Sequence, residues 1–177
     1  MTTAPLNETT HDWPRDLQEG GLKFKQRVSN PVVFRAYMMV KMPTLGVTGA
    51  SIRDLTPTSC AVELPLGWGT GDLFGRIATP AALAAAEIAS ASLMVINIRN
   101  QGAALTPRVV NVLLGAATPV KEDLIFTCEH GEGYGQLVAD AAATGETIRR
   151  LFTVVGKTPG GQEAFSVQLE WEVAPKR

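Results

Sequence analysis

The chain has 177 residues, of which 45% are hydrophobic and 19% are charged, and its formal net charge is −1. This length and composition fit one globular domain with a sizeable core. The balanced charge offers no basic surface to nucleic acid or to an anionic membrane, so we expect neither as a partner.

The cysteine and histidine content indicates neither a disulfide framework nor a metal site. Cys60 and Cys128 form no Cys-x-x-Cys pair and lie in apolar, strand-like runs, which predicts small buried side chains. His11 and His130 are the only histidines, which excludes a histidine-rich metal site. Residues 1–10 lack the basic and apolar regions of a signal peptide. We therefore expect a cytoplasmic protein with no metal and no cofactor.

The N-terminal part of the chain divides after a pair of glycines. Residues 1–21 are mostly polar and predict a flexible arm, whereas residues 22–177 predict a single domain. The domain begins with a predicted helix over residues 22–42. Pro31 either kinks this helix or occupies the first turn of its second half.

Two predicted strands and a glycine-rich loop come next. Residues 47–55 and 58–66 have the apolar patterns of strands, and the Thr56–Pro57 step between them is typical of a turn. The loop over residues 67–75 contains four glycines. Its spacing fits neither the dinucleotide-binding fingerprint nor the P-loop, which excludes both kinds of nucleotide site.

The longest predicted helix, over residues 80–98, has almost no polar face, and Glu87 is its only ionisable side chain. Its alanine content and its interruption by polar residues argue against a membrane span. A helix without a polar face has to be covered on nearly all sides. We therefore expect the sheet to wrap around it.

Glu87 has two interpretations. A carboxylate in apolar surroundings is costly unless it is paired, solvated or protonated. As a structural residue, Glu87 would pair with an arginine or lie at a dimer seam; as a functional residue, it would line a site. The glycines before the helix leave backbone N–H groups that can bind a carbonyl oxygen or an oxyanion.

The remainder of the chain is mostly strand. Residues 108–117, 124–128 and 147–155 each predict a strand, and residues 131–143 are ambiguous, with an alanine content that favours a short helix. Residues 165–173 alternate apolar and polar side chains, as in a half-buried antiparallel strand. Because strands occur in blocks rather than alternating with helices, the sequence predicts an α+β fold with an antiparallel sheet.

One stretch resembles the loop and helix of hot-dog-fold thioesterase-like proteins: residues 71–89 read Gly-Asp-Leu-Phe-Gly-Arg-Ile-Ala-Thr-Pro-Ala-Ala-Leu-Ala-Ala-Ala-Glu-Ile-Ala. It is most similar to an uncharacterised subgroup related to the phenylacetate-pathway thioesterases. There, Asn-His-apolar-Gly precedes a small-residue helix that carries a glutamate. The spacing from Asp72 to Glu87 matches the spacing from that asparagine to that glutamate, and Gly75 falls on the glycine. Asp72 and Leu73 stand where the subgroup has asparagine and histidine.

The resemblance implies a hot-dog fold, in which a curved antiparallel sheet of about six strands wraps a long central helix, here with an additional N-terminal helix. It also implies a homodimer, or a dimer of dimers, with sites for acyl-CoA or acyl-carrier thioesters at the subunit seam. The implied activity is thioester hydrolysis, and a non-catalytic dimer that binds acyl-CoA or lipid is the alternative. Enoyl-thioester hydration is disfavoured because its usual Asp–His pair is missing. Arg99 and Arg108 are interpreted as solvated side chains, with CoA phosphates as alternative partners.

The resemblance also implies roles for individual residues. Glu87 and Asp72 are the implied catalytic residues, with Glu87 as the base or the nucleophile. The implied substrate-binding residues lie in the loop or in the helix that follows it: Phe74, Gly75, Arg76 and Leu83. The backbone amides of Gly75 and Arg76 would donate to the oxyanion, and the other two side chains would line the acyl pocket.

Overall fold

The computed structural model describes residues 12–176, so residues 1–11 of the predicted arm lie outside the described residues. The elements in this range, in chain order, are α1 (Glu19–Val28), α2 (Pro31–Lys41), α3 (Pro43–Gly46), β1 (Ser51–Leu55), β2 (Cys60–Leu64), α4 (Thr79–Gln101), β3 (Leu105–Ala117), β4 (Leu124–Cys128), α5 (Gly131–Thr144), β5 (Ile148–Lys157) and β6 (Glu163–Pro175). Three helices thus precede the first strand, and α4 and α5 lie between strands.

The six strands form one antiparallel sheet in the order β1-β2-β4-β5-β6-β3. α4 packs across one face of the sheet and contacts every strand. The sheet curves around this helix. The predicted α+β architecture, a curved six-stranded sheet wrapping a long central helix, is confirmed.

α4 is the core helix of the fold. Pro80 lies in its first turn, and Gly102 ends it in the left-handed region at φ 63°. Its alanines include Ala82 and Ala86, which have no exposed surface, so their small side chains let the surrounding elements approach closely. By length and composition alone α4 could cross a membrane, but 67% of its apolar window is buried inside the protein. That burial is expected of a core helix.

Residues 12–21, the described part of the predicted arm, pack against the rest of the domain. Trp13 is buried over Gly135 of α5, where an added Cβ would lie 2.3 Å from the indole ring. Asn100 of α4 accepts one backbone N–H from residues 14–18 at 2.6 Å and donates to two of their carbonyls at 2.9 Å. The polar composition of this segment predicts no packing. Trp13 nevertheless anchors it, through a contact with a residue that is distant in the sequence.

The predicted helix over residues 22–42 is two helices, α1 and α2, with a break at Ser29–Asn30. Asn30 caps α2, because its side-chain oxygen accepts the N–H groups of Val32 and Val33 at 3.1 and 3.2 Å. Pro31 occupies the first turn of α2, the second of the two roles considered for it.

The ambiguous segment over residues 131–143 forms α5, as its alanine content favours. A buried polar network joins α5 to the core. The Ser90 hydroxyl of α4 is hydrogen-bonded to the Tyr134 hydroxyl of α5, and the Trp171 indole N–H of β6 donates to Ser90 at 2.7 Å. Satisfied buried hydrogen bonds of this kind fix the relative positions of the three elements.

The two cysteines are buried free thiols that face each other across the β2–β4 pair. Burial raises the pKa of both Cys60 and Cys128, which makes them poor nucleophiles. Among residues 12–176, no group of three or more histidine, cysteine, aspartate or glutamate side chains could hold a metal ion.

The last strand alternates as predicted, and its inward side chains are buried: Phe165, Val167, Leu169, Trp171 and Val173. Glu172, on the opposite face, is also nearly covered, with only 8% of its side chain exposed. Arg108 of β3 and Arg149 of β5 flank it and donate to its two carboxylate oxygens at 2.6 and 2.8 Å. One carboxylate therefore links three neighbouring strands.

We expect Glu172→Gln to lower Tm at neutral pH, because the hydrogen bonds from Arg149 and Arg108 hold the pKa of Glu172 below its usual value. A carboxyl group whose pKa is lower in the folded state stabilises the fold at pH values above its unfolded-state pKa. That stability is lost as the pH falls through the folded-state pKa. Thermal melts between neutral and acidic pH should therefore show a Tm difference from wild type that shrinks with acid. Glu170→Gln, on the same strand, is the control, and an equal effect in both variants would contradict the account.

Candidate functional site

One face of α4 is turned away from the sheet. Its partly exposed side chains, Leu83, Glu87, Ala91 and Val95, are spaced by four residues along a helix that is otherwise mostly buried. Residues four apart lie on one side of an α-helix, so these form a continuous line that we call the α4 stripe. α1 contacts α4, and α1 and α2 together cover the C-terminal part of the stripe.

A cavity of about 250 Å³ lies between the α4 stripe and the N-terminal helices; we call it the Glu87 cavity. Apolar side chains make up most of its wall, including Phe24, Val28, Phe34, Met38, Ile88 and Val95. Four side chains with polar groups also line it: Tyr37, Glu87, Ser92 and Arg99. An apolar cavity with a few polar groups has the character of a small-molecule site.

Among the described residues, Glu87 is the one carboxylate in the wall of this cavity. It is half-buried, and burial raises its pKa above the usual glutamate value. Within residues 12–176 no ion pair or hydrogen bond to its side chain is present, so the arginine partner considered from the sequence is not found there. A half-buried, unpaired carboxylate keeps its proton to a higher pH and is a stronger base once ionised.

Asp72 lies in the loop before α4, and neighbouring groups bind both of its carboxylate oxygens. One oxygen accepts the backbone N–H groups of Phe74 and Arg76 at 2.8 and 2.9 Å. The other accepts the Arg76 guanidinium at 2.8–2.9 Å. The Arg76 backbone N–H, its guanidinium and the Phe74 N–H hold the pKa of Asp72 below its usual value. Asp72 therefore closes and fixes the loop.

The two amides expected to bind an oxyanion also point into this loop. Gly75, at φ 68°, donates its N–H to the Asp72 carbonyl at 3.1 Å, and Arg76 donates its N–H to the Asp72 carboxylate. Both donors are therefore occupied in this state of the loop. Phe74 is 70% exposed, and the Arg76 guanidinium carbon lies 4.8 Å from the centre of its ring.

The structure places the sequence-predicted site residues in two places. Asp72 and Arg76 line a second cavity of about 270 Å³, formed by the start of α4 and the end of β3; we call it the Asp72 cavity. Glu87 lines the cavity under the N-terminal helices instead. Leu83 lies between them, one turn before Glu87 on the α4 stripe, where it packs against the core.

No family model matches the sequence, and no curated protein matches it either. Solved structures match it in fold. A candidate thioesterase from Shewanella oneidensis superposes with a TM-score of 0.71 at 10% identity, covering 86% of this chain and 99% of that one. A protein of unknown function from Pseudomonas aeruginosa, described as a probable thioesterase, gives 0.66 at 16% identity, covering 84% and 98%. This chain has the hot-dog fold.

A thioesterase from Haemophilus influenzae is a further hot-dog match, with a TM-score of 0.60 at 10% identity over 82% of this chain and 91% of that one. The resemblance read from residues 71–89 is thus confirmed at the level of the fold. At such low sequence identity the matches show the fold alone. The activity of this chain has to be argued from its own residues.

The side chains that α1 and α2 contribute to the wall of the Glu87 cavity were not among the predicted site residues. A signal for them exists, because Phe24 and Val28 are four residues apart, as are Phe34 and Met38. Such spacing predicts an apolar face on each helix. It does not predict which part of the hot-dog domain that face covers, so its position over Glu87 could not be derived.

Proposed function

We propose that this hot-dog protein hydrolyses acyl thioesters carried by CoA or by an acyl carrier, with Glu87 as the catalytic carboxylate. One observation carries the proposal: Glu87 is a half-buried carboxylate with a raised pKa, unpaired within residues 12–176, in the wall of an apolar cavity. A carboxylate in a cavity whose pKa is shifted by burial is a candidate functional residue. The thioesterase names of the fold neighbours support the same reaction class.

The reaction proceeds by general-base catalysis. Ionised Glu87 removes a proton from a water molecule as the water oxygen bonds to the thioester carbonyl carbon. The carbon–sulfur bond then breaks, and the leaving thiolate takes the proton back from Glu87. Direct attack by the Glu87 carboxylate, which would form an anhydride that water hydrolyses, is the alternative route.

Asp72 acts in this proposal through the loop. Because both of its oxygens are already bound, it holds Phe74 and Arg76 in place instead of exchanging a proton with substrate. The amides of Gly75 and Arg76 both donate to Asp72, and Arg76 lines the Asp72 cavity and not the Glu87 cavity, so neither amide is available to an oxyanion beside Glu87 in this state of the loop. Phe74 and Leu83 both precede Glu87 in the sequence, and both are proposed to contact the acyl group.

We propose that two copies of the chain pair along β3, forming a homodimer that brings the Asp72 cavity to the seam. Within residues 12–176, β3 is an edge strand that pairs with β6 alone, and residues 111–119, which include its C-terminal half, are exposed. Three consecutive apolar side chains on this strand are 42–46% exposed: Val112, Leu113 and Leu114. A long apolar strand edge of this kind favours pairing with another strand.

We expect Leu113→Lys to convert the homodimer into a monomer, because a lysine on a strand edge opposes pairing by burying a charge. Sedimentation velocity on the full chain measures the result. Leu151→Lys is the matched control, since Leu151 of β5 is equally exposed at 46% but lies on an interior strand. A monomeric wild type, or a Leu113→Lys protein that stays as dimeric as Leu151→Lys, would contradict the proposed seam.

A panel of acyl-CoAs of increasing chain length, assayed by thiol release, tests the proposed reaction. We expect turnover above the buffer rate for at least one chain length. The rate should depend on chain length, because a cavity of about 250 Å³ limits which acyl groups fit beside Glu87. No turnover with any member, nor with an acyl-carrier thioester, would contradict hydrolysis.

Binding without catalysis is the second candidate function, and the occupied amides of Gly75 and Arg76 favour it. Without free donors, a developing oxyanion lacks the stabilisation that commonly provides most of the rate enhancement. Calorimetry with a non-hydrolysable acyl-CoA analogue separates the two. Binding without turnover supports the binding function, and no binding by any acyl ligand counts against both.

A further inference from the structure

The Glu87 cavity has opposite charges at its two ends. Along α4 it extends from Glu87 to Arg99, a helical distance of about 18 Å at 1.5 Å per residue. Between these residues the α4 wall consists of Ile88, Ala91, Ser92 and Val95, and the facing wall is mostly apolar. A single chain of methylene groups is the simplest occupant of such a passage.

Two arginine side chains, Arg27 and Arg99, lie near one end of the Glu87 cavity. A small adjoining cavity of about 40 Å³ is lined by Arg27 of α1 and by Arg99, and it shares Phe24 and Tyr37 with the Glu87 cavity. Neither arginine is ion-paired within residues 12–176. The Arg99 guanidinium carbon lies 5.4 Å from the centre of the Phe24 ring, which helps to hold it at the cavity end.

We propose that this cavity binds an aliphatic chain that ends in a carboxylate, with the carboxylate at Arg27 and Arg99 and the chain lying along the α4 stripe towards Glu87. Guanidinium groups bind carboxylates through paired, charge-assisted hydrogen bonds. The surface exposure of Arg99 lets an anionic group stay partly hydrated while the chain enters the apolar passage.

A phosphopantetheine arm fits this passage less well. Its phosphate would suit the two arginines, but its two amides would lie against apolar walls, where unpaired polar groups are costly. The described wall between the ends offers them only the Ser92 and Tyr37 hydroxyls. The chemistry of the wall therefore favours methylene groups over amides.

Two sources provide an aliphatic chain with a terminal carboxylate. One is a free fatty acid, whose methyl end would point to Glu87. The other is an ω-carboxyacyl thioester, whose thioester would lie at Glu87; this source rests on the proposed hydrolysis, whereas the first does not. Both sources place the carboxylate at Arg27 and Arg99.

Calorimetry with decanoate, decanol and CoA on the full-length chain tests the site itself. We expect decanoate to bind wild type about 10- to 100-fold more tightly than decanol, the range given by charge-assisted hydrogen bonds. Arg99→Gln should remove most of that difference, and Arg35→Gln, an exposed arginine of α2 outside the cavity, should preserve it. Equal binding of decanoate and decanol, or an Arg99→Gln variant that weakens CoA binding but not decanoate binding, would overturn the proposal.

Hydrolysis of decanedioyl-CoA and decanoyl-CoA separates the two sources. A higher kcat/KM for the dicarboxylic substrate, lost in Arg99→Gln but kept in Arg35→Gln, assigns the site to the ω-carboxyacyl thioester. Decanoate binding with equal kcat/KM values assigns it to the free fatty acid. If neither thioester is hydrolysed, the proposed reaction fails, and the calorimetry alone decides whether the cavity binds the carboxylate.

Discussion

Replacing Glu87 with glutamine is expected to lower kcat for acyl-thioester hydrolysis by about 10²- to 10⁴-fold, the contribution usual for a positioned general base. Glutamine has nearly the same shape as glutamate but cannot accept the proton from the attacking water. Since no other carboxylate of residues 12–176 lines the Glu87 cavity, none of them can replace it. Thiol-release kinetics on the best substrate of the acyl-CoA panel measure the loss.

The same substitution should leave the fold intact, which separates a catalytic effect from unfolding. Burial raises the pKa of Glu87, so the folded state favours its protonated form, and stability is lost as the pH rises through that pKa. A glutamine at this position does not ionise, so Glu87→Gln removes this loss of stability. The Tm of the variant at neutral pH should therefore equal or exceed that of wild type. Glu129→Gln, in an exposed turn, is the control for kcat. Unchanged kcat in Glu87→Gln would contradict the assigned role.

The largest expected effect on stability lies on the other side of the same helix. Leu93→Ala should lower the free energy of unfolding by about 2–5 kcal/mol, because it removes buried methyl and methylene groups and leaves a cavity. Leu93 has no exposed surface and belongs to the core formed by α4 and the sheet. Chemical denaturation followed by circular dichroism measures the change.

Leu73→Ala is the matched control for Leu93→Ala. The chemical change is identical, but Leu73 is 98% exposed in the loop before α4, so we expect an effect within about 0.5 kcal/mol. Similar destabilisation by the two substitutions would contradict the placement of α4 at the centre of the fold. Destabilisation by Leu73→Ala without destabilisation by Leu93→Ala would also contradict that placement.

The parts of the fold that the sequence predicted are those with strong local patterns. The helix over residues 80–98 lacked a polar face, and that lack alone required a covering sheet. The alternation over residues 165–173 predicted the buried and solvent-facing sides of β6, which the burial of its side chains confirms. Glu172 departs from the pattern because Arg108 and Arg149, from neighbouring strands, cover it.

The parts that could not be predicted depend on contacts between distant segments. Trp13 anchors residues in the assumed arm through Gly135, which lies more than a hundred positions away. Likewise, the apolar faces of α1 and α2 are visible in the sequence, but their position over Glu87 depends on tertiary packing.

In the candidate site, too, the local features could be predicted from the sequence and the contacts made on folding could not. Glu87 was identified from its isolation in an apolar helix, a local property. The pairing of Asp72 with Arg76, which occupies both of its oxygens, depends on how the loop closes, and spacing alone does not reveal it. The cytoplasmic location, the homodimer and the absence of nucleic-acid and membrane partners stay predictions.

A crystal structure with a 2-oxoalkyl thioether analogue of acyl-CoA, which keeps the carbonyl but cannot be hydrolysed, tests the central claim most directly. The account predicts that the analogue carbonyl lies beside the Glu87 carboxylate, with a water between them within about 2.6–3.2 Å of Glu87. The alkyl chain should occupy the apolar cavity under α1 and α2. An analogue bound in the Asp72 cavity, with the Glu87 cavity empty, would contradict it.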